Sequence, residues 1–210
     1  MLSRWSRWAC LTGVVFVALV VLGGPVAAGN TPSSKATGSQ VIAFFAANRS
    51  RERASAVLLT LAFIVFLFFA GSLRSYLRRT KAVEGLSAVV LAAAAVLAAG
   101  QTAGTGLIFA LTDAPTHLSP GAAQALNLLS NDMVLTNAAG FSAFGIASGL
   151  AILRGAALPN WLGWMSILIG VVVVTPAEFA AVIALAVWIT IVSILIATRS
   201  DLAEPAAVPA

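Results

Sequence analysis

The stretch QALNLLSNDMVLTNAAG, residues 124 to 140, holds the side chains of this sequence that are best suited to chemistry. Its polar members are Gln124, Asn127, Asn131, Asp132 and Asn137, and a strongly apolar run follows them. A carboxylate and amides inside a hydrocarbon layer are costly, and they usually mark a proton relay, an ion ligand or a solute path. At the end of a helix, the same residues would only mark where the chain leaves the layer.

Depth along the helix separates these two interpretations. Asp132 is 22 residues from Arg154, or about 33 Å along an α-helix, which exceeds the roughly 30 Å of a bilayer core. Asn137 lies deeper, about 25 Å from Arg154. Gln101 is at the same depth on the preceding apolar segment, measured from Glu84. We therefore expect Asp132 at the interface and a hydrogen bond between Gln101 and Asn137 in the outer leaflet.

A solute path would need a polar lining drawn from both of these segments. The candidates are Gln101, Thr105 and Asn137. Within the opening stretch, however, Asn137 lies about 120° from Asn131 around the helix, and Asp132 lies about 100° away on the other side. These polar side chains do not converge on one point, which disfavours a catalytic or conducting site.

Small residues follow one face of the same segment and predict close helix packing. This stripe contains Ser142, Gly145 and Gly149, and its last two members form a Gly-xxx-Gly pair. The preceding apolar segment has a row of small residues at helical spacing: Ala88, Ala92, Ala95, Ala99, Thr102 and Gly106. We expect this row to be the partner surface of the stripe.

No arrangement typical of an enzyme is visible in the sequence. His117 is the only histidine and has only Asp113 near it, which is too few groups for a catalytic triad or a metal site. Glu178 follows Thr175-Pro176, a pattern typical of a helix N-terminus, where a carboxylate is stabilising. Cys10 is the single cysteine, so no internal disulfide can form. We predict no catalytic residue, no cofactor and no metal.

Composition places the elements that carry these residues in a membrane. Of the 210 residues, 60% are hydrophobic and only 9% are charged, and the mean hydropathy is +1.00. A water-soluble protein of this length has many more polar groups to face water. The 12 lysines and arginines lie in short clusters between apolar runs and form no basic face, so nucleic acid is not expected as a partner.

Apolar segments of about 20 residues predict an all-α, polytopic bundle of six transmembrane helices, in a single domain that covers residues 1–210. The predicted helices are about 8–28, 54–73, 85–111, 121–153, 159–174 and 177–198. An external loop, 29–53, contains a short interfacial helix at VIAFFAANRS that leads into the second span. The first segment also resembles a signal peptide cleaved after Ala28, but its long apolar run favours a retained helix.

The distribution of positive charge predicts that both termini are cytoplasmic. The predicted inside carries Arg4, Arg7, Arg74, Arg78, Arg79, Lys81, Arg154 and Arg199, whereas the outside carries Lys35, Arg49, Arg51 and Arg53. Eight charges against four favour this orientation. The three arginines immediately before the second span are an exception, and contact with lipid phosphates is their only explanation at this level.

Three segments carry a resemblance to a known family. They are LPNWLGWMSILIGVVVVTP, QALNLLSND, and FLFFAGSLRSYLRR after an amphipathic VIAFFAANR. Together they resemble a family of small six-helix integral membrane proteins of high-GC bacteria, for which no activity is established. The resemblance implies a membrane protein, a bacterial origin and six helices, and it implies no mechanism.

Three function classes follow from these observations. The leading expectation is a non-enzymatic protein of a bacterial plasma membrane that associates with membrane lipids, with other membrane proteins or with further copies of itself. The alternative is a small-solute transporter or channel subunit with the polar lining Gln101, Thr105 and Asn137. An intramembrane enzyme is the third and least favoured class.

Overall fold

A computed structural model of the chain describes residues 2–24, 31–78, 83–156 and 158–199. Its helices are α1 (Leu2–Val21), α2 (Gly38–Leu77), α3 (Glu84–Leu111), α4 (Ala114–His117), α5 (Pro120–Asp132), α6 (Val134–Gly155), α7 (Asn160–Val172) and α8 (Glu178–Arg199). No β-strand occurs within these ranges, which confirms the predicted all-α class for them. The predicted cleavage site after Ala28 lies outside the described residues, as do Arg79 and Lys81.

Four helical stretches are long and apolar enough to cross a membrane. They are Gly38–Leu77, Glu84–Leu111, Pro120–Gly155 and Glu178–Thr198. Two shorter apolar helices, Leu11–Gly24 and Asn160–Val172, correspond to the first and fifth predicted spans. At 1.5 Å per residue, α7 is about 20 Å long, less than the roughly 30 Å of a bilayer core.

Helix α2 differs most from its prediction, because it begins at Gly38 and not near residue 54. Thr37 caps it with a reciprocal pair of hydrogen bonds: Thr37 Oγ1 accepts from the Gln40 amide, and the Thr37 amide donates to Gln40 Oε1. The helix then continues over 40 residues to Leu77. The loop predicted for 29–53 therefore ends at Thr37, and the expected short interfacial helix is the first part of α2.

The segment predicted as one helix over 121–153 begins and ends within two residues of its expected limits. Ser119 caps its start, as its Oγ accepts a hydrogen bond from the Ala122 amide. Met133 separates α5 from α6. The turn after α6 contains Ala156 at a φ of 48°, in the left-handed conformation common at helix ends.

Six helices form a closed ring in which each packs against the next one. Their order is α1, α2, α3, α6, α7 and α8, and α8 returns to contact α1. Neighbouring helices are antiparallel, so the ring has two ends. We call them the Asp113 end, where α3 finishes and Arg53 lies, and the Arg74 end, where α2 finishes and α3 begins.

Aromatic side chains fill the middle of the ring. The aromatic centre consists of Phe16, Phe63, Phe66, Phe69, Phe144 and Trp188, which come from α1, α2, α6 and α8. Phe66 connects them, with its ring centroid 5.0 Å from that of Phe16 and 5.2 Å from that of Phe144. Trp188 lies edge-on to Phe144 and donates a hydrogen bond of 2.9 Å from Nε1 to the Leu162 carbonyl. Phe66, Phe144 and Trp188 close the centre of the ring at their level. Phe16 and Phe63 also line a cavity of about 150 Å³, together with Gln101 and Phe141.

The predicted stripe of small residues on α6 does pack closely, but against α7. A Cβ placed on Gly149 would lie 2.5 Å from the Gly163 carbonyl oxygen, and one on Gly170 would lie 2.9 Å from the Ser142 carbonyl oxygen. The Ser166 hydroxyl crosses the same contact and donates to the Gly145 carbonyl at 2.7 Å. The backbones approach this closely because neither helix has a side chain in the way.

The expected partner row on α3 is wrong. Ala88, Ala92, Ala95, Ala99 and Gly106 are all exposed on the outside of the ring, and Thr102 is half-buried. Helix α3 meets α6 with a different face, on which Leu97 lies against Gly140. Small residues occur on several faces of α3, so their spacing alone did not identify the packed one.

Candidate functional site

Two asparagines of α5 form hydrogen bonds with the chain that precedes α2. Asn127 is 2% exposed, and its Nδ2 donates a hydrogen bond of 2.9 Å to the Ser33 carbonyl. Asn131 Nδ2 donates to the Asn127 carbonyl at 2.8 Å and to the Pro32 carbonyl at 3.4 Å. The Pro32 and Ser33 carbonyls lie outside any helix, and these amides satisfy them, so the role of Asn127 and Asn131 here is structural.

Gln124 and Asp132 take no part in that arrangement. Both are exposed on the surface of α5. Asp132 is the last residue of α5. Its side chain points about 100° around the helix from that of Asn131. The acid that would serve a proton relay is thus on the surface of the described molecule.

Gln101 and Asn137 line one cavity of about 190 Å³ between α3, α6 and the start of α8. Glu178 and Phe141 also line it. The expected hydrogen bond between the two amides is absent, and the buried Oδ1 of Asn137 has no hydrogen-bond partner among the described residues. That oxygen lies against α3, 2.8 Å from the position of a Cβ on Gly100. The polar residues of the otherwise apolar cavity wall are Gln101, Asn137 and Glu178.

Thr105 does not share that cavity, so the three predicted lining residues do not form one site. Its hydroxyl lies 3.1 Å from that of Thr60 and faces a groove between α2 and α3. One turn of helix separates Thr105 from Gln101, and four residues also rotate the side chain by about 40°. That rotation is enough to direct it toward α2 while Gln101 faces the interior.

An ion-pair cluster at the Asp113 end was missed by sequence reasoning. Arg49 and Arg53 each place Nη2 2.6 Å from the same oxygen, Asp113 Oδ1. Arg53 Nε also donates to Thr112 Oγ1 at 2.9 Å, and its guanidinium lies over the Phe109 ring, 5.3 Å from the centroid. The hydrogen bond from Arg49 and the two positive charges hold the pKa of Asp113 below its usual range.

The signal for this cluster was the spacing of the two arginines. Residues four apart share one face of a helix, so Arg49 and Arg53 are neighbours as soon as α2 is known to begin at Gly38. Asp113 lies 60 residues further along the chain than Arg53. The cluster explains two of the three arginines that were an exception to the charge asymmetry.

Glu52 is a second group that sequence reasoning missed. Its side chain is 1% exposed on α2, between the two arginines of the cluster but on another face of the helix. Its Oε1 has no hydrogen-bond partner among the described residues. Burying a carboxylate without a partner is costly. Glu52 lies one turn before Ala56, and nothing in the sequence predicted that its side chain faces inward.

The described residues contain no group of three or more histidine, cysteine, aspartate or glutamate side chains that could hold a metal ion. His117 is exposed on α4 near Asp113, whose carboxylate is already engaged by two arginines. Among the described residues, no nucleophile, general base and orienting group lie together, so the geometry indicates no catalytic reaction.

Comparisons of the chain with known protein families, with curated proteins and with solved structures give no match in any of the three cases. The resemblance to six-helix proteins of high-GC bacteria therefore stays a prediction. Function has to be inferred from the residues and their geometry.

Proposed function

We propose that the chain is a multi-pass protein of a bacterial plasma membrane that acts by associating with lipid or with other membrane proteins, without an enzymatic activity. The observation that carries this proposal is the aromatic centre. Phe66, Phe144 and Trp188 are fully buried where a solute would have to pass through the ring. Packing at the density of a protein interior leaves no room there for a hydrated path.

The outside of the ring supports a lipid environment. Large apolar side chains are exposed on several helices: Phe68, Leu135, Trp164, Leu168 and Phe179 are each more than 60% exposed. In water such a surface would drive aggregation, whereas lipid tails cover it without cost. Trp161 and Trp164 near the start of α7 fit the aromatic belts found at membrane interfaces.

The proposed topology has six crossings with both termini in the cytoplasm. Helices α1 and α7 would be the two short crossings, and α1 is supported by its packing, because Phe16 belongs to the aromatic centre. The eight-to-four distribution of lysine and arginine supports the orientation. In a Cys10→Ser background, His117→Cys should react with an impermeant thiol reagent from outside and Ser75→Cys should not. The opposite pattern would reverse the orientation.

A small-solute carrier is the second candidate, and the cavity lined by Gln101 and Asn137 favours it. The Gln101 amide and the Glu178 carboxylate in its wall could form hydrogen bonds with a solute. A carrier must also let water reach deeper levels of the ring during its cycle. Ser148 tests this, because it is fully buried on α6, about 16 Å beyond Asn137 along the helix.

The deciding experiment labels Ser148→Cys in the Cys10→Ser background, with impermeant reagent on either side of sealed vesicles. Cysteine is close to serine in size, so the substitution leaves the packing intact. We expect no labelling from either side, with His117→Cys as the reactive control. Labelling of Ser148→Cys in the folded protein would favour the carrier over the association proposal.

A further inference from the structure

A groove runs along the outside of the ring between α2 and α3. Its volume is about 400 Å³, and its walls are mainly apolar: Ala56, Val57, Leu61, Gly106 and Phe109, with Thr60, Thr102 and Thr105. Val57, Leu61 and Phe109 are each exposed at its surface. The groove therefore opens sideways, toward the region that lipid tails occupy in the proposed topology.

The threonines do not make this groove polar. The Thr60 hydroxyl donates to the Ala56 carbonyl at 2.8 Å, and the Thr102 hydroxyl donates to the Ala98 carbonyl at 2.8 Å. The Thr105 hydroxyl donates to the Thr102 carbonyl at 3.0 Å. With the hydroxyl hydrogens directed at their own helices, the wall presents chiefly carbon to any occupant.

The groove ends beneath the ion-pair cluster. Phe109 belongs to the groove wall, and the Arg53 guanidinium covers its ring. Arg49 and Arg53 share one carboxylate oxygen of Asp113, so these three side chains carry one excess positive charge. The side chains of both arginines are still about 40% exposed. Donors and charge remain for an anion.

We propose that this groove binds one acyl chain of an anionic phospholipid whose phosphate is held by Arg49 and Arg53. The inference rests on the proposed function, and it names the lipid class. The excess positive charge selects an anionic headgroup, and the apolar groove directly below it takes the tail. Arg49 and Arg53 thereby gain a role that the positive-inside rule does not give them.

The apolar wall of the groove argues against an extended protein segment as the occupant. An extended peptide would bring backbone amides and carbonyls against a wall that offers few partners. An acyl chain does not have this problem, because it carries no polar group.

Gly106 provides a variant that fills the groove without disturbing the fold. A Cβ on Gly106 would meet no atom within 4 Å, so Gly106→Leu places its side chain in the space proposed for the tail. Gly85→Leu is the matched control: Gly85 lies on the same helix at the Arg74 end, and a Cβ there also meets no atom of the described residues within 4 Å. Arg53→Gln removes one charge of the headgroup site.

The test measures binding of phosphatidylglycerol and of phosphatidylcholine with the same acyl chains to the detergent-purified full chain, by native mass spectrometry. We expect the native chain and Gly85→Leu to bind phosphatidylglycerol more tightly. Arg53→Gln should lose roughly fivefold in phosphatidylglycerol affinity, as expected for one charge near an anionic group. Gly106→Leu should lose tight binding, and inorganic phosphate should not compete at equal concentration.

Each alternative outcome overturns a stated part of the proposal. Equal binding of both lipids by the native chain removes the headgroup site, and unchanged binding by Gly106→Leu removes the groove. Competition by inorganic phosphate shows that the tail contributes nothing. A dimer that Gly106→Leu abolishes, with no lipid bound, assigns the groove to a second copy.

Melting temperatures without lipid verify folding, and Arg49→Gln replaces Arg53→Gln if that variant unfolds. Ser148→Cys labelling is independent of these results, so failure of the proposed function is separately detected.

Discussion

Replacing Gly149 by alanine adds one methyl group at the closest point between α6 and α7. The new Cβ would lie 2.5 Å from the Gly163 carbonyl oxygen and 2.6 Å from Ile167 Cγ1. Ordinary van der Waals contact begins near 3.4 Å, so the helices must separate by about 0.9 Å along that line. The Ile167 side chain can rotate away, but the Gly163 carbonyl is part of a helix backbone and moves only with α7.

Two opposing effects set the magnitude. Alanine is preferred to glycine inside a helix by roughly 0.5–1 kcal/mol. Overpacking a close contact costs roughly 1–3 kcal/mol. The second effect is larger, so Gly149→Ala should lower the free energy of unfolding by about 0.5–2 kcal/mol. Separation of the helices also weakens the hydrogen bond from Ser166 to the Gly145 carbonyl.

Gly71→Ala is the matched control, because a Cβ on Gly71 of α2 would meet no atom within 4 Å in the described part of the chain. Only the helix preference acts there, and the variant should be slightly more stable than the native chain. Unfolding by sodium dodecyl sulfate in mixed micelles, followed by tryptophan fluorescence, gives both free energies. The expected changes have opposite signs. If Gly149→Ala is as stable as Gly71→Ala, the described α6–α7 contact is refuted.

Three further predictions use the same unfolding assay. Asn127→Ala should lower the free energy of unfolding by about 1–3 kcal/mol, because it leaves the Ser33 carbonyl without its donor. Asp132→Asn should change it by no more than about 0.5 kcal/mol. Equal effects of the two variants would contradict the surface position of Asp132. Trp188→Phe should lower the free energy of unfolding by about 1–3 kcal/mol, because it removes the hydrogen bond to the Leu162 carbonyl. An unchanged free energy would contradict this buried contact. Since the pKa of Asp113 is lowered in the folded chain, its stabilising effect is complete above its ordinary pKa and is lost as pH falls through the lowered value. The melting-temperature difference between the native chain and Asp113→Asn should therefore shrink between pH 7 and pH 3, and a constant difference would show that the carboxylate charge has no role.

The sequence by itself determined the class of the protein and much of its local structure. A chain with 9% charged residues has too few polar groups for a soluble surface, and long apolar runs form helices in lipid because each helix satisfies its own backbone. The start of α5, expected near residue 121, depends on local chemistry, since the Ser119 hydroxyl caps the first turn. The close-packing role of Gly145 and Gly149 was predictable for a similar reason, because small residues at helical spacing permit a close approach.

Only the tertiary structure decided which of these surfaces meet. Periodicity defines the faces of a helix but not their neighbours, so the stripe on α6 was matched to α3 when its partner is α7. The Asn127 contact with Ser33 joins residues 94 apart, and Asp113 is 64 residues from Arg49. Such pairs arise because α4 and α5 pack against α2 and bring distant parts of the chain together at the Asp113 end. A polar residue near a helix end looks the same in sequence whether it meets a lipid headgroup, water or a distant carbonyl, and only its neighbours in space distinguish these cases.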